Sequence, residues 1–204
     1  KLQQVRKLRE MLSSHGVDET IIAQLDTSIT ALEQVQPQAL TASEIDVQLG
    51  STWIPPEIVE SFMHELFQTS GWARSRTHIL FSSFTANWTI TNKSADYGSV
   101  STTVTYGTAR ANGYRILEDT LNLRDVRIFD TVRDADGKEQ RVLNKKGTIL
   151  AQQKQQLIKE AFAQWIWRDA ERREQLTALY NERFNSTRPR EYDGSHIRFV
   201  GMNP

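Results

Sequence analysis

The 204-residue chain contains no cysteine. That absence excludes a disulfide framework, a thiolate metal site and a cysteine nucleophile. An excess of either charge is also missing. The 25 Lys and Arg residues balance the 25 Asp and Glu residues, so the chain lacks the broad basic footprint of many nucleic-acid-binding domains. A neutral whole still leaves room for a local basic patch. No apolar run approaches the roughly 20 residues needed to span a bilayer. No signal peptide precedes the Asn-x-Ser/Thr triplets at Asn87, Asn92 and Asn185, so these read as coincidence rather than glycosylation sites. The chain reads as soluble and cytoplasmic, with no membrane partner. Its first residues, Lys1-Leu2-Gln3, do not include Met and already follow helical spacing, which reads as a fragment of a longer polypeptide.

Catalytic signatures are missing too. Neither a G-x-x-x-x-G-K-[ST] phosphate loop nor a G-x-G-x-x-G turn occurs, and there is no G-x-S-x-G nucleophile elbow. The four histidines, His15, His64, His78 and His196, are dispersed. His64-Glu65-Leu66-Phe67-Gln68 superficially matches a zinc-protease helix. Gln68 stands where the second imidazole is needed, so the stretch reads as a helix with His64 and Glu65 on its polar side. The carboxylate pairs Glu118/Asp119 and Asp125/Asp130 read as solvated faces. The expectation is a non-catalytic piece with no metal and no cofactor of its own.

What is present is a change of period along the chain. Leu2, Val5, Leu8 and Leu12 form a helical stripe that Gly16 ends. Asp18 caps a second helix carrying Ile22, Leu25, Ile29, Leu32 and Val35, which stops at Pro37. Thr41-Ala42-Ser43-Glu44 has capping-box spacing. Pro55 or Pro56 opens a helix whose buried face is Ile58, Phe62, Leu66 and Phe67. Residues 77–84, 87–91 and 99–106 are rich in aromatic and β-branched side chains and predict strands. A helix follows Asn112-Gly113. Segments 126–132 and 139–143 flank Asp134-Ala135-Asp136-Gly137, a hairpin signal. The last third predicts two long helices, the second capped by Asp169 and ended by Pro189, and then a short strand at 196–200.

This order predicts an α+β fold: N-terminal helices, a central, small, mostly antiparallel sheet with one helix, and two long C-terminal helices. The predicted regions are 1–36, 37–146 and 147–204.

Candidate contact residues are basic and aromatic. Lys145-Lys146 follows the hairpin. Arg172-Arg173 sits in the first turn of the last helix, where cations oppose the macrodipole and invite a partner. Arg188-Pro189-Arg190-Glu191-Tyr192 places two guanidiniums, which suit phosphate, beside a ring that can stack on a base. Trp165 falls on the apolar stripe. Trp167 lies off it, and with Trp53 it is a candidate for an interface with a neighbouring domain.

Four stretches carry a resemblance. They are Leu40 to Ile45 with Leu49-Gly50-Ser51-Thr52-Trp53-Ile54-Pro55; Tyr106-Gly107-Thr108 through Asn112-Gly113-Tyr114 to Asp119-Thr120-Leu121-Asn122-Leu123; Val142-Leu143-Asn144-Lys145-Lys146; and Leu179-Tyr180-Asn181 through Phe184-Asn185 to Arg188 to His196, closing on Gly201-Met202-Asn203-Pro204. From about Ala31 onward the chain resembles large proteins of bacterial phages, plasmids and conjugative elements. These join an adenine-specific DNA methyltransferase to a Swi/Snf-type superfamily-two helicase, and some are described as antirestriction proteins. The resemblance implies a region just ahead of the helicase core, with ATP, Mg and S-adenosylmethionine used by the parent on either side of it. It transfers no catalytic residue to any position here. The implied partners are DNA, through the parent, and the flanking methyltransferase and helicase domains. The expected role is an accessory that assists DNA binding through Lys145, Lys146, Arg188, Arg190 and Tyr192. The alternative is a connector that docks the two enzymatic domains, with Trp53 or Trp167 in the interface and no DNA contact.

Overall fold

A computed structural model describes residues 2–16, 18–35, 37–96, 98–133 and 138–186. The architecture is α+β, as the change of period predicts. Helices α1 (Leu2–Ser14), α2 (Glu19–Gln34), α3 (Pro56–Leu66), α4 (Gly71–Arg74), α5 (Gly113–Leu121), α6 (Lys145–Ile166) and α7 (Ala170–Phe184) accompany strands β1 (Ile79–Ser82), β2 (Asn87–Ile90), β3 (Phe129–Arg133) and β4 (Glu139–Leu143). The strands do not merge into one sheet. They form two antiparallel ribbons, β1–β2 and β3–β4.

The chain divides into two compact units. One comprises Lys1–Thr41 and Ala178–Pro204. In it, α1 and α2 form the expected helical hairpin. Gly16 takes the left-handed conformation, φ 67°, and the Asp18 carboxylate accepts the Thr20 N–H at 3.1 Å. Neither helix buries a residue. The pair is laced by Arg6–Glu33 at 2.5 Å and Arg9–Asp26 at 2.9 Å, exposed ion pairs of the kind that contribute little. The end of α7 holds a neighbouring strap of chain. Asn181 accepts from Leu40 N and donates to Leu40 O, both at 2.8 Å, and Asn185 donates to Gln38 O at 2.8 Å. The asparagines of the Leu179 to Asn185 motif thus supply backbone partners to a segment without regular structure.

The second unit, Ala42–Thr177, contains the core. Phe62, Met63 and Phe67 of α3 and its C-terminus meet Tyr114 and Leu117 of α5, Trp88 and Ile90 of β2, and Ile158, Phe162 and Trp165 of α6. Phe62 packs edge-on against Phe162 with ring centroids 5.0 Å apart, and lies 5.3 Å from Trp165. Trp165 is buried, as its place on the stripe predicts.

The β1–β2 ribbon pairs Ile79 with Ile90 and Phe81 with Trp88. Its outward N–H groups are met by side chains of the helices. Ile79 N donates to Glu60 of α3 at 2.8 Å. Ile90 N donates to Glu118 of α5 at 2.7 Å. Asn122 accepts Trp88 N at 2.9 Å and donates to Trp88 O at 2.8 Å. Glu118 is therefore not part of a solvated face: one oxygen closes the β2 edge and the other binds Lys93 at 2.6 Å.

Residues 101–105 are not a strand. Thr and Val at alternate positions favour one, but the segment winds into a π-helical turn. The Thr102 hydroxyl donates to Ser99 O at 3.1 Å, and that of Thr103 donates to Ser99 O at 2.7 Å. These local bonds compete with strand pairing. The expected strand at 196–200, with Arg188, Arg190 and Tyr192, lies outside the described residues.

Candidate nucleic-acid interface

Lys145 and Lys146 open α6, a 22-residue helix. Its start is fixed by Asn144, whose carbonyl oxygen accepts Gly147 N at 2.7 Å and whose amide donates to Asp130 at 2.7 Å. Asn144 N donates to Ile128 O at 2.8 Å, and Thr148 Oγ1 accepts Ile128 N at 3.0 Å. The cap is thus tied to the chain entering β3. Gly147 fits closely here: a Cβ would stand 3.2 Å from the Asn144 side chain and 3.3 Å from Ile128, so a larger residue would have to shift the cap. The two lysines are exposed and have no ion-pair partner among the described residues. Two ammonium groups at the positive end of a long helix repel its dipole. The same arrangement, with ammonium groups beside free helical N–H groups, attracts an anion such as phosphate.

The Arg172-Arg173 pair is explained within the chain. Asp169 caps α7 by accepting Arg172 N at 2.8 Å. Arg172 donates to Trp165 O at 2.7 Å and Ile166 O at 3.0 Å, and lies 3.5 Å over the Trp165 ring. Arg173 donates to Trp167 O at 3.2 Å. The cations that seem misplaced at the start of α7 satisfy the carbonyl end of α6. Trp167 and Trp53 are half-buried and pack against the core.

Among the described residues the exposed tryptophan is Trp72, at 58 %. It stands in Trp72-Ala73-Arg74-Ser75-Arg76, ahead of β1, and is not among the contact residues expected from the sequence. A ring followed by arginines two and four positions later is the signal that marks it. The Arg76 guanidinium lies 4.5 Å from the Trp72 ring centre.

His64 and Glu65 do not share a polar face. His64 is 5 % exposed, with neither ring nitrogen hydrogen-bonded, whereas Glu65 accepts Trp165 Nε1 at 2.6 Å and pairs with Arg168. One turn before, Glu60 binds His78 at 3.1 Å and lies 3.7 Å from His64, too far for a hydrogen bond. Burial depresses the His64 pKa, with Arg74 and His78 adding to the effect and Glu60 opposing it. The hydrogen bond to Glu60 and its charge raise that of His78. Burial would raise Glu60, but the Ile79 N–H and the His78 bond outweigh it and hold it below the usual range.

The two imidazoles bias stability in opposite directions. Unfolded His64 takes up a proton that the folded chain resists, so its contribution is lost as pH falls below about 6.5. That of His78 is present below about 6.5 and is lost as pH rises through its higher folded value. Replacing His78 by Gln steepens the loss of stability on acidification from neutrality, and removing His64 flattens it. Urea denaturation across pH measures both slopes.

The sequence model of a family described as Domain of unknown function (DUF8437) matches residues 48–186. The chain belongs to this family. The DUF8437 match takes in Trp53, Trp72, Lys145, Lys146 and Trp167, and ends before Arg188, Arg190 and Tyr192. No curated protein and no solved structure matches the chain.

Proposed function

We propose that this DUF8437 chain is a non-catalytic region that contacts the phosphate backbone of DNA, within a DNA-processing polypeptide of the helicase and methyltransferase kind that its motifs resemble. The observation that carries the reading is the unpaired Lys145–Lys146 couple at the dipole-positive start of α6. ATP, Mg and S-adenosylmethionine serve the parent's other domains in this reading. Duplex binding falls with salt, and each phosphate contact contributes about 0.9 to the logarithmic slope. Replacing Lys145 and Lys146 together by Ala reduces that slope by about 2. Fluorescence anisotropy of labelled duplex across a salt series reads it. An unchanged slope, or no binding by the native chain at low salt, overturns the reading.

A second reading, the connector, has its own support. The β3–β4 ribbon exposes Val132, Val142 and Leu143, and α6 exposes Ile149 and Leu150. A two-stranded ribbon is marginal alone and gains from a covering surface. Co-purification of the flanking domains with this chain, abolished by Val132→Asp, supports it. A native chain that captures neither domain sinks it.

A further inference from the structure

A second feature with the chemistry of a binding site lies around α4 (Gly71–Arg74). Trp72, Arg76, Asn92, Ser94 and Ala95 line a shallow groove of about 420 Å³. Its framework is ordered by bonds between side chains and backbone. Ser70 caps α4 by accepting Ala73 N at 3.4 Å. Ser75 donates to Trp72 O at 3.0 Å. Asn92 adopts the left-handed conformation, φ 46°, and its amide donates to Arg76 O at 2.7 Å, with the Thr91 hydroxyl adding a bond to the same oxygen at 3.3 Å.

Three properties of this groove point to one class of ligand. The indole is mostly in water although it is the largest apolar group available to bury. The Arg76 guanidinium over the ring, and Arg74 beside it in sequence, have no carboxylate partner among the described residues. Among the described residues no carboxylate lines the groove. With its amide nitrogen engaged by Arg76 O, Asn92 keeps its carbonyl oxygen free to accept, and Ser94 adds an exposed hydroxyl. An aromatic face, a cation and a small set of polar edges are what an unpaired nucleobase and its phosphate require. A duplex cannot use the ring, because its bases are stacked on one another. The feature therefore selects single strands, whereas the lysine pair selects phosphate in any form.

We propose that Trp72 and Arg76 form a stacking site for an unpaired base of single-stranded DNA, with Arg76 also meeting the adjoining phosphate. The identity of the ligand rests on the reading that this chain contacts DNA. The test is anisotropy of the full chain with labelled oligo-dT, oligo-U and duplex of equal length. Trp72→Ala is expected to weaken oligo-dT binding roughly 5- to 150-fold while leaving duplex binding unchanged. Trp72→Phe, which keeps a ring, retains most of the affinity. Arg76→Ala weakens oligo-dT binding and lowers its salt dependence. Oligo-dT binding that Trp72→Ala does not alter, equal losses on duplex and single strand, preference for oligo-U, or no single-strand binding at all would each overturn the site. Loss of duplex binding in the Lys145/Lys146 variant with an inert Trp72→Ala removes this site alone. A Trp72-dependent single-strand signal with inert lysines removes the lysine reading alone.

Discussion

Replacing Phe62 by Ala lowers the unfolding free energy by about 3–5 kcal/mol, the range for removing a buried phenyl ring. Phe62 is 1 % exposed and touches elements far apart in sequence. Its ring meets Phe162 edge-on and Trp165 at 5.3 Å, so the substitution removes the transfer term and two ring–ring contacts. The cavity cannot collapse easily, because α3 is also pinned through Glu65 to Trp165 and Arg168. A domain with a stability of roughly 5–15 kcal/mol loses a large share of it. Urea denaturation reads the effect as a lower midpoint with an unchanged slope, which separates lost stability from a changed unfolded state. A midpoint within error of the native value would show that the aromatic cluster is not a stabilising centre.

Gly107→Ala is expected to be comparably damaging, for the opposite reason. Its missing side chain is filled by backbone. A Cβ there would lie 2.0 Å from Thr102 O and 3.1 Å from Gly113 N. Overpacking costs about 1–3 kcal/mol where side chains can move aside, and occasionally more. Here the obstacle is the carbonyl of the π-helical turn, itself tied to α5, so the cost falls at or above the top of that range. Gly50 makes a similar approach, with φ 100° and a Cβ position 2.5 Å from Leu121 O. Loss of soluble protein or a midpoint drop matching Phe62→Ala is the expected outcome. A Gly107→Ala variant with native stability would mean that the turn between Ser101 and Thr105 is not held as described.

Much of the scaffold is legible in sequence, and the misreadings have identifiable causes. The αα-hairpin, the start of α3 within the Pro55-Pro56 pair, the Asp169 cap and the two C-terminal helices follow from periodicity and capping, which are local. Residues 101–105 have strand composition but no strand partner, and the threonine hydroxyls find carbonyls within their own turn. His64 sits at a position polar by chemistry and buried by packing, because α3 presents its neighbours Phe62 and Met63 to the core. Arg172 and Arg173 look misplaced until the carbonyl end of α6 is seen beside them. Of the candidate contact residues, the lysine pair could be located by composition, but its freedom from carboxylates could not. Trp72 passes unnoticed because exposure is a tertiary property, and a tryptophan near a strand reads as core.

The clasping of the β1–β2 ribbon by Glu60 and Glu118 bears on how this chain meets others. An unprotected strand edge is a template on which a stray segment can add. In this ribbon Ile79 and Ile90 pair across the register, and their amides, which point outward from the two edges, already end on carboxylates. Strand addition there would have to displace two charged acceptors and leave them in a partly covered environment. The ribbon is thereby guarded against aggregation by side chains alone, without a third strand. The guard on β1 persists into acid: against the effect of burial, the Ile79 N–H and the bond to His78 hold the Glu60 carboxyl below the usual glutamate range, so it keeps its charge at a pH where a free glutamate begins to lose it.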